Sequence, residues 1–162
     1  MGNNDENKTN WHIKNTDFKG MSSEGMASLD LVNQFISALL RRDEKALLDL
    51  LADELILDYS GKFGYGKNTL NKTEAILFHK KVRESIELVD FNLLMAYGEA
   101  NTVFLLGDKT EKIMMTEQVV FEKCIWIYTL ENNLICKIQY LPEGHTLFPF
   151  FSGIMDNHQK RR

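Results

Sequence analysis

Ala52-Asp53-Glu54-Leu55-Ile56-Leu57-Asp58-Tyr59-Ser60-Gly61 is the stretch around which the chain is organised. Its short apolar run, Leu55 to Tyr59, reads as a strand and sets one carboxylate, Asp58, at the strand end. Two helical patterns come before it. A glycine-rich loop, an amphipathic helix and a long run of strand-like sequence come after, and they read as a container around that acid.

Upstream, Leu29, Val32, Phe35, Ile36, Leu39 and Leu40 recur at helical spacing and form a broad apolar stripe. Ser28 or Asp30 is placed to cap its start, and Arg41 and Arg42 suit the negative end of its dipole. Asp43 then caps a second, shorter helix carrying Ala46, Leu47, Leu50 and Leu51. Residues 1–27, rich in Asn, Lys, Asp, Ser and Gly with isolated Trp11 and Phe18, read as a flexible arm that cannot bury enough to order itself.

Downstream, residues 60–70 hold Gly61, Gly64 and Gly66 and read as a permissive loop over the mouth of a pocket. Asn71 and Glu74 have the spacing of a capping box, which starts a third helix running to about Leu88. Its inward stripe is Ile76, His79, Val82 or Arg83, and Ile86. The period then changes. Segments from Phe91 to Tyr97, Thr102 to Lys109, Met115 to Leu130 and Leu134 to Leu141 are rich in β-branched and aromatic residues. Turn signals at 98–101, Gly107-Asp108-Lys109 and Glu131-Asn132-Asn133 separate them. Helices first and an antiparallel meander afterwards make an α+β fold, with three N-terminal helices packed into a curved, mainly antiparallel sheet. A three-residue loop at 131–133 pairs Cys124 with Tyr140, Trp126 with Ile138 and Tyr128 with Cys136, and gathers these six on one face. Ile125 and Ile127 fall on the other face and offer a dimer surface. Pro142 stops the last strand. The apolar segment His145 to Phe151 folds back over the domain or onto a second copy, the domain spans 28–155, and 156–162 reads as a disordered basic tail.

A length of 162 residues suits one domain with a single core, and 44% hydrophobic with 26% charged residues is an ordinary soluble composition. The net charge of −4 and a lone basic cluster, Lys160-Arg161-Arg162, argue against nucleic acid as a partner. No apolar run approaches the ~20 residues that cross a bilayer, so no membrane is expected and the cytoplasm is the default location. Cys124 and Cys136 read as free thiols, and His12, His79, His145 and His158 lack metal-ligand spacing, so neither a metal nor a cofactor is expected.

This order of elements resembles the nuclear transport factor 2-like superfamily, including its ketosteroid isomerase-like and SnoaL-like domains, over about residues 28–142. The closest local match is Ala52-Asp53 through Asp58 to Gly61, similar to the ketosteroid isomerase segment whose aspartate shuttles a proton beside a bound ring. The closing Leu134-Ile135-Cys136-Lys137-Ile138-Gln139-Tyr140-Leu141 is similar to the family's last strand. The resemblance implies a cone-shaped α+β barrel with an apolar pocket and Asp58 as general base. It also implies two enolate-stabilising O–H donors, but Phe35 and Trp126 stand at those places and supply neither. Loss of such donors removes several kcal/mol of transition-state stabilisation, so steroid isomerisation is not expected.

Two roles follow for the site. In the first, the domain is a cofactor-free isomerase, cyclase or hydratase, with Asp58 as base and His79 as its helper near neutral pH. In the second, it is a non-catalytic ligand-binding or dimerisation module of the same fold. Either way Phe35, Phe63, Trp126, Tyr128 and Tyr140 line the pocket for a small apolar or aromatic molecule, with Glu117 and Tyr97 as further polar contacts, and a homodimer forms through the outer sheet face. Gly61 to Asn68 imitates a phosphate-binding loop, but Asn68 replaces the required hydroxyl residue and the parallel βαβ context is absent.

Overall fold

The computed structural model describes residues 21–58 and 67–143. Helix α1 (Ser23–Arg41) starts at an N-cap upstream of either expected one: the Ser22 side chain accepts from the Gly25 N–H at 3.0 Å. It ends where Arg42 turns left-handed (φ 59°), and Asp43 caps α2 (Glu44–Leu50) by accepting from the Ala46 N–H. Leu51 then opens β1 (Leu51–Asp58) instead of closing the helix. Asn71 and Glu74 form the capping box reciprocally and start α3 (Lys72–Ser85), which stops short of Leu88. Arg83 donates to the Leu39 carbonyl at 3.0 Å and ties α3 to the last turn of α1.

The remaining elements are β2 (Lys67–Asn71), β3 (Ile86–Glu99), β4 (Thr102–Ile113), β5 (Val119–Glu131) and β6 (Leu134–Pro142). They form a six-stranded sheet in the order β2-β1-β6-β5-β4-β3. Every pairing is antiparallel except β1 with β6. The result is the expected α+β arrangement of N-terminal helices on one face of a mainly antiparallel sheet. Val32 and Phe35 of α1, Phe78 of α3 and Leu55, Leu57 and Leu105 of the sheet are almost fully buried between the layers. Each such side chain contributes roughly 1.5–3 kcal/mol.

α1 touches the sheet backbone to backbone. A Cβ added to Gly25 would stand 2.1 Å from the Gly98 carbonyl oxygen, and the reciprocal substitution at Gly98 meets Gly25 equally closely. Only two glycines allow that approach.

Several expectations change. Residues 67–70, read as loop, form with Asn71 the edge strand β2, whose partners run from Glu54↔Asn71 to Asp58↔Lys67. Gly107-Asp108-Lys109 is not a turn, because β4 runs through it to Ile113. The last hairpin closes on two residues, Asn132 and Asn133, both at positive φ as a tight hairpin turn requires. Leu130 therefore pairs with Ile135, while Thr129 pairs with Lys137, so Cys136 is an extra residue in β6. Beyond it Tyr128 faces Ile138 and Trp126 faces Tyr140. Ile138 and Tyr140 thus keep the expected inner face, but Ile135 takes the place expected for Cys136. Both cysteines are free, with Cys124 buried and Cys136 half-buried. No helix among the described residues is long and apolar enough to cross a membrane. The arm up to residue 20, Phe63 with its loop, and the segment from His145 to the basic tail lie outside the described residues.

Candidate functional site

Strand parity decides what faces the helices. In β4 the inner positions are Val103, Leu105, Gly107, Lys109 and Glu111, and in β5 they are Val120, Glu122, Cys124, Trp126 and Tyr128. Lys109 and Glu122 therefore enter the inner layer as charged residues, 5% and 4% exposed. Gly107, two residues before Lys109 on the same face and opposite Cys124, leaves room beside them. A Cβ there would meet the Phe91 ring at 2.6 Å, and that ring packs on Trp126 with centroids 5.5 Å apart.

Four polar side chains converge at this point. Lys109 Nζ lies 3.0 Å from Glu111 Oε1 and 3.5 Å from Glu122 Oε2. The Tyr140 hydroxyl donates to the same Glu122 oxygen. The ammonium also sits over two rings, 4.6 Å from the centroid of Tyr140 and 5.7 Å from that of Trp126. Glu122 Oε1 and Glu111 Oε2 are buried with no hydrogen-bond partner among the described residues.

Burial raises the Glu122 carboxyl above its ordinary value; hydrogen bonding to Tyr140 and the Lys109 charge oppose this, and Glu111 adds to it. Glu122 thus has a raised proton affinity, as a general base near neutral pH requires. Burial, with Cys124 and Glu122 nearby, raises the Tyr140 phenol well above its ordinary value, which keeps it a hydrogen-bond donor. The Cys124 thiol, donating to the Gly107 carbonyl, is pushed up to about 12 by burial and is not a nucleophile at neutral pH.

The residues singled out from sequence divide into two groups. Phe35, Tyr128, Trp126 and Tyr140 all belong to the inner layer, with Phe35 edge-on to Tyr128 at 6.0 Å and Trp126 against Tyr140 at 5.6 Å. His79 joins them, edge-on to Phe35 (5.9 Å) and Phe78 (5.6 Å), and its Nε2 is buried without a partner among the described residues. Burial, helped by the Arg83 charge, lowers this imidazole to about 4, so the ring is neutral at pH 7. Asp58 stands elsewhere. Leu57 pairs with the buried Ile138, and Asp58 pairs with Gln139 on the opposite side of the sheet. There it accepts from Gln139 Nε2 at 3.3 Å and lies 3.9 Å from Lys137 Nζ. The sheet separates it from His79. Glu117 pairs with Lys112 at the surface, and Tyr97 is on the outer face.

Lys109, Glu111 and Glu122 were missed by the sequence reading. The period-two signal continues from Tyr128, Trp126 and Cys124 to Glu122, and would have found the last of them. At the other end of the sheet an open crevice of about 300 Å³ is lined by Glu24, Ser28, Asn101 and Asn132 among others. There Ser28 donates to the Ala100 carbonyl and Asn101 to that of Leu130. Among the described residues no three His, Cys, Asp or Glu side chains are grouped as a metal ion requires.

No protein-family model matches this sequence, and no curated protein matches it significantly. Solved structures do match. A nuclear transport factor 2-like protein of Burkholderia xenovorans is 18% identical, covering 76% of this chain and 93% of its own, at a TM-score of 0.64. An LEH-like epoxide hydrolase of M. tuberculosis is 12% identical over 82% of this chain and 92% of its own, at 0.61. A candidate polyketide cyclase of Xanthomonas campestris is 16% identical over 82% and 99%, at 0.60. At these identities the likeness is one of fold.

Proposed function

We propose that this chain, which has the nuclear transport factor 2-like fold, is a small-molecule-binding domain whose working group is Glu122 on the inner face of its sheet. One observation carries the reading. Glu122 is buried, Tyr140 and Lys109 hold its Oε2, and its Oε1 has no partner among the described residues. A buried oxygen left this way costs roughly 1–3 kcal/mol unless something donates to it. Trp126 and Phe91 beside it suit the apolar part of a small organic ligand. The chemistry open to such a carboxylate is proton transfer at Oε1, with Lys109 and Tyr140 fixing its orientation. The isomerase, cyclase and hydratase classes all need that step, and a binding module needs only the hydrogen bond.

A thermal-shift screen of small organic molecules tests this with wild type, Glu122→Gln and Asp58→Asn side by side. Compounds that raise Tm of the wild type are expected to lose the effect in Glu122→Gln and keep it in Asp58→Asn. Hits indifferent to the Glu122 substitution would move the site away from it.

A second observation favours association of two copies through the outer sheet face. Met95, Tyr97 and Ile125 are exposed there, beside Phe104, Leu106 and Ile127, as an unbroken apolar surface across three strands. Light scattering of the wild type against Ile125→Lys is the test. A dimer that the lysine dissociates supports the reading, and a wild-type monomer at high concentration removes it.

A further inference from the structure

Resting on the Glu122 site proposed above, we infer that its ligand is a small organic ammonium ion, held by Glu122 Oε1 and Glu111 Oε2 with its apolar part against Trp126 and Phe91. In this cluster three donors are already engaged: Lys109 on Glu111 and Glu122, the Tyr140 hydroxyl on Glu122, the Cys124 thiol on the Gly107 carbonyl. The buried carboxylate oxygens without partners among the described residues on this face are Glu122 Oε1 and Glu111 Oε2, and both are acceptors. A ligand that completes this set must therefore bring N–H or O–H groups. A ligand carboxylate or phosphate would instead add a further negative charge beside Glu111 and Glu122.

Charge narrows the class further. The buried Glu122 and the half-buried Glu111 face one lysine, so the cluster lacks one positive charge, and an unpaired buried charge is costly. An organic ammonium would supply the missing charge and the missing donors together. The surrounding rings suit it, since Tyr140 and Trp126 already carry the ammonium of Lys109 on their faces. A neutral alcohol would satisfy the oxygens and leave the charge.

Three probes of matched size separate the classes: benzylamine, benzyl alcohol and benzoate, titrated calorimetrically at pH 6 and pH 8. Benzylamine is expected to bind at least about tenfold more tightly than the other two. Its affinity falls on acidification, as Glu122 takes up a proton more readily than an ordinary carboxyl. Glu122→Gln weakens it at least about tenfold, Glu111→Gln does so to a smaller degree, and Asp58→Asn leaves it unchanged. Far-UV circular dichroism checks that the Glu122 variant is folded, and Glu111→Gln carries the test if it is not. Benzyl alcohol or benzoate binding as well as the amine, in a manner still dependent on Glu122, overturns the amine class and leaves the Glu122 site standing. Binding indifferent to both glutamates, or no binding by any probe, overturns both.

Discussion

Glu122 and Asp58 are both strand carboxylates beside a lysine, and the sheet puts them in different worlds. Glu122 shares Lys109 with Glu111 under the helices, with side-chain exposures of 2% and 6% for the Glu122–Lys109 pair. Asp58 sits 3.9 Å from a Lys137 that is 27% exposed, on the face away from the helices. Residue type and local charge are alike; the number of peptide units from an inward neighbour is odd in one case and even in the other. A carboxylate's chemistry in a sheet protein is thus decided first by parity and by which face is covered.

The sharpest way to break the contrast is to remove the inner lysine. Lys109→Met leaves Glu111 and Glu122 facing each other without a cation and is expected to cost about 3–5 kcal/mol at neutral pH. The loss should shrink in acid as Glu122 takes a proton, which urea unfolding at two pH values reads directly. Next comes the contact that covers the inner face at all. Gly25→Ala forces a methyl against the Gly98 carbonyl and is expected to cost about 3 kcal/mol, with greater dye binding as α1 lifts from the sheet.

Acid titration sharpens the comparison at intermediate size. For His79 the unfolded chain binds a proton at 6.5 and the folded ring only at about 4, so stability is full above 6.5 and falls toward pH 4. That span is worth roughly 3 kcal/mol, and His79→Leu should flatten the acid limb by that order. Glu122 runs the other way. Its folded carboxyl binds a proton more tightly than the ordinary 4.5, so its contribution is present below that value and is lost as pH rises through the raised one. Glu122→Gln should therefore remove a falling slope where His79→Leu removes a rising one. Smallest of all is Asp58→Asn, expected to change stability by less than about 1 kcal/mol because its lysine is partly solvated.

How much of this was legible depends on the kind of signal. Helices announced themselves by their stripes, and Asp43 and the Asn71–Glu74 box by their spacing, because capping is local chemistry. β2 was not legible, since Lys67-Asn68-Thr69-Leu70-Asn71 has one apolar residue and pairs along a single edge. Leu55-Ile56-Leu57 is apolar throughout and so gives no parity, which is why the sequence does not say which face Asp58 takes. Gly107 looked like a turn because glycine serves two purposes; here it is a slot for the Phe91 ring. With β4 cut short there, Lys109 and Glu111 had no face assigned to them. Every expected pairing of the last hairpin moved, by one residue from the shorter turn and by a second beyond the bulge, and no single-sequence rule places a bulge.

That extra residue, Cys136, acts as a phase shifter for β6. Were β6 to pair through it without the bulge, everything beyond would be read out of step by one: Gln139 would turn toward the helices, and Tyr140 away from Glu122. Deleting Cys136 instead leaves a regular strand with Ile138 and Tyr140 still inward, so the lining of this interior depends on a backbone irregularity as well as on its side chains.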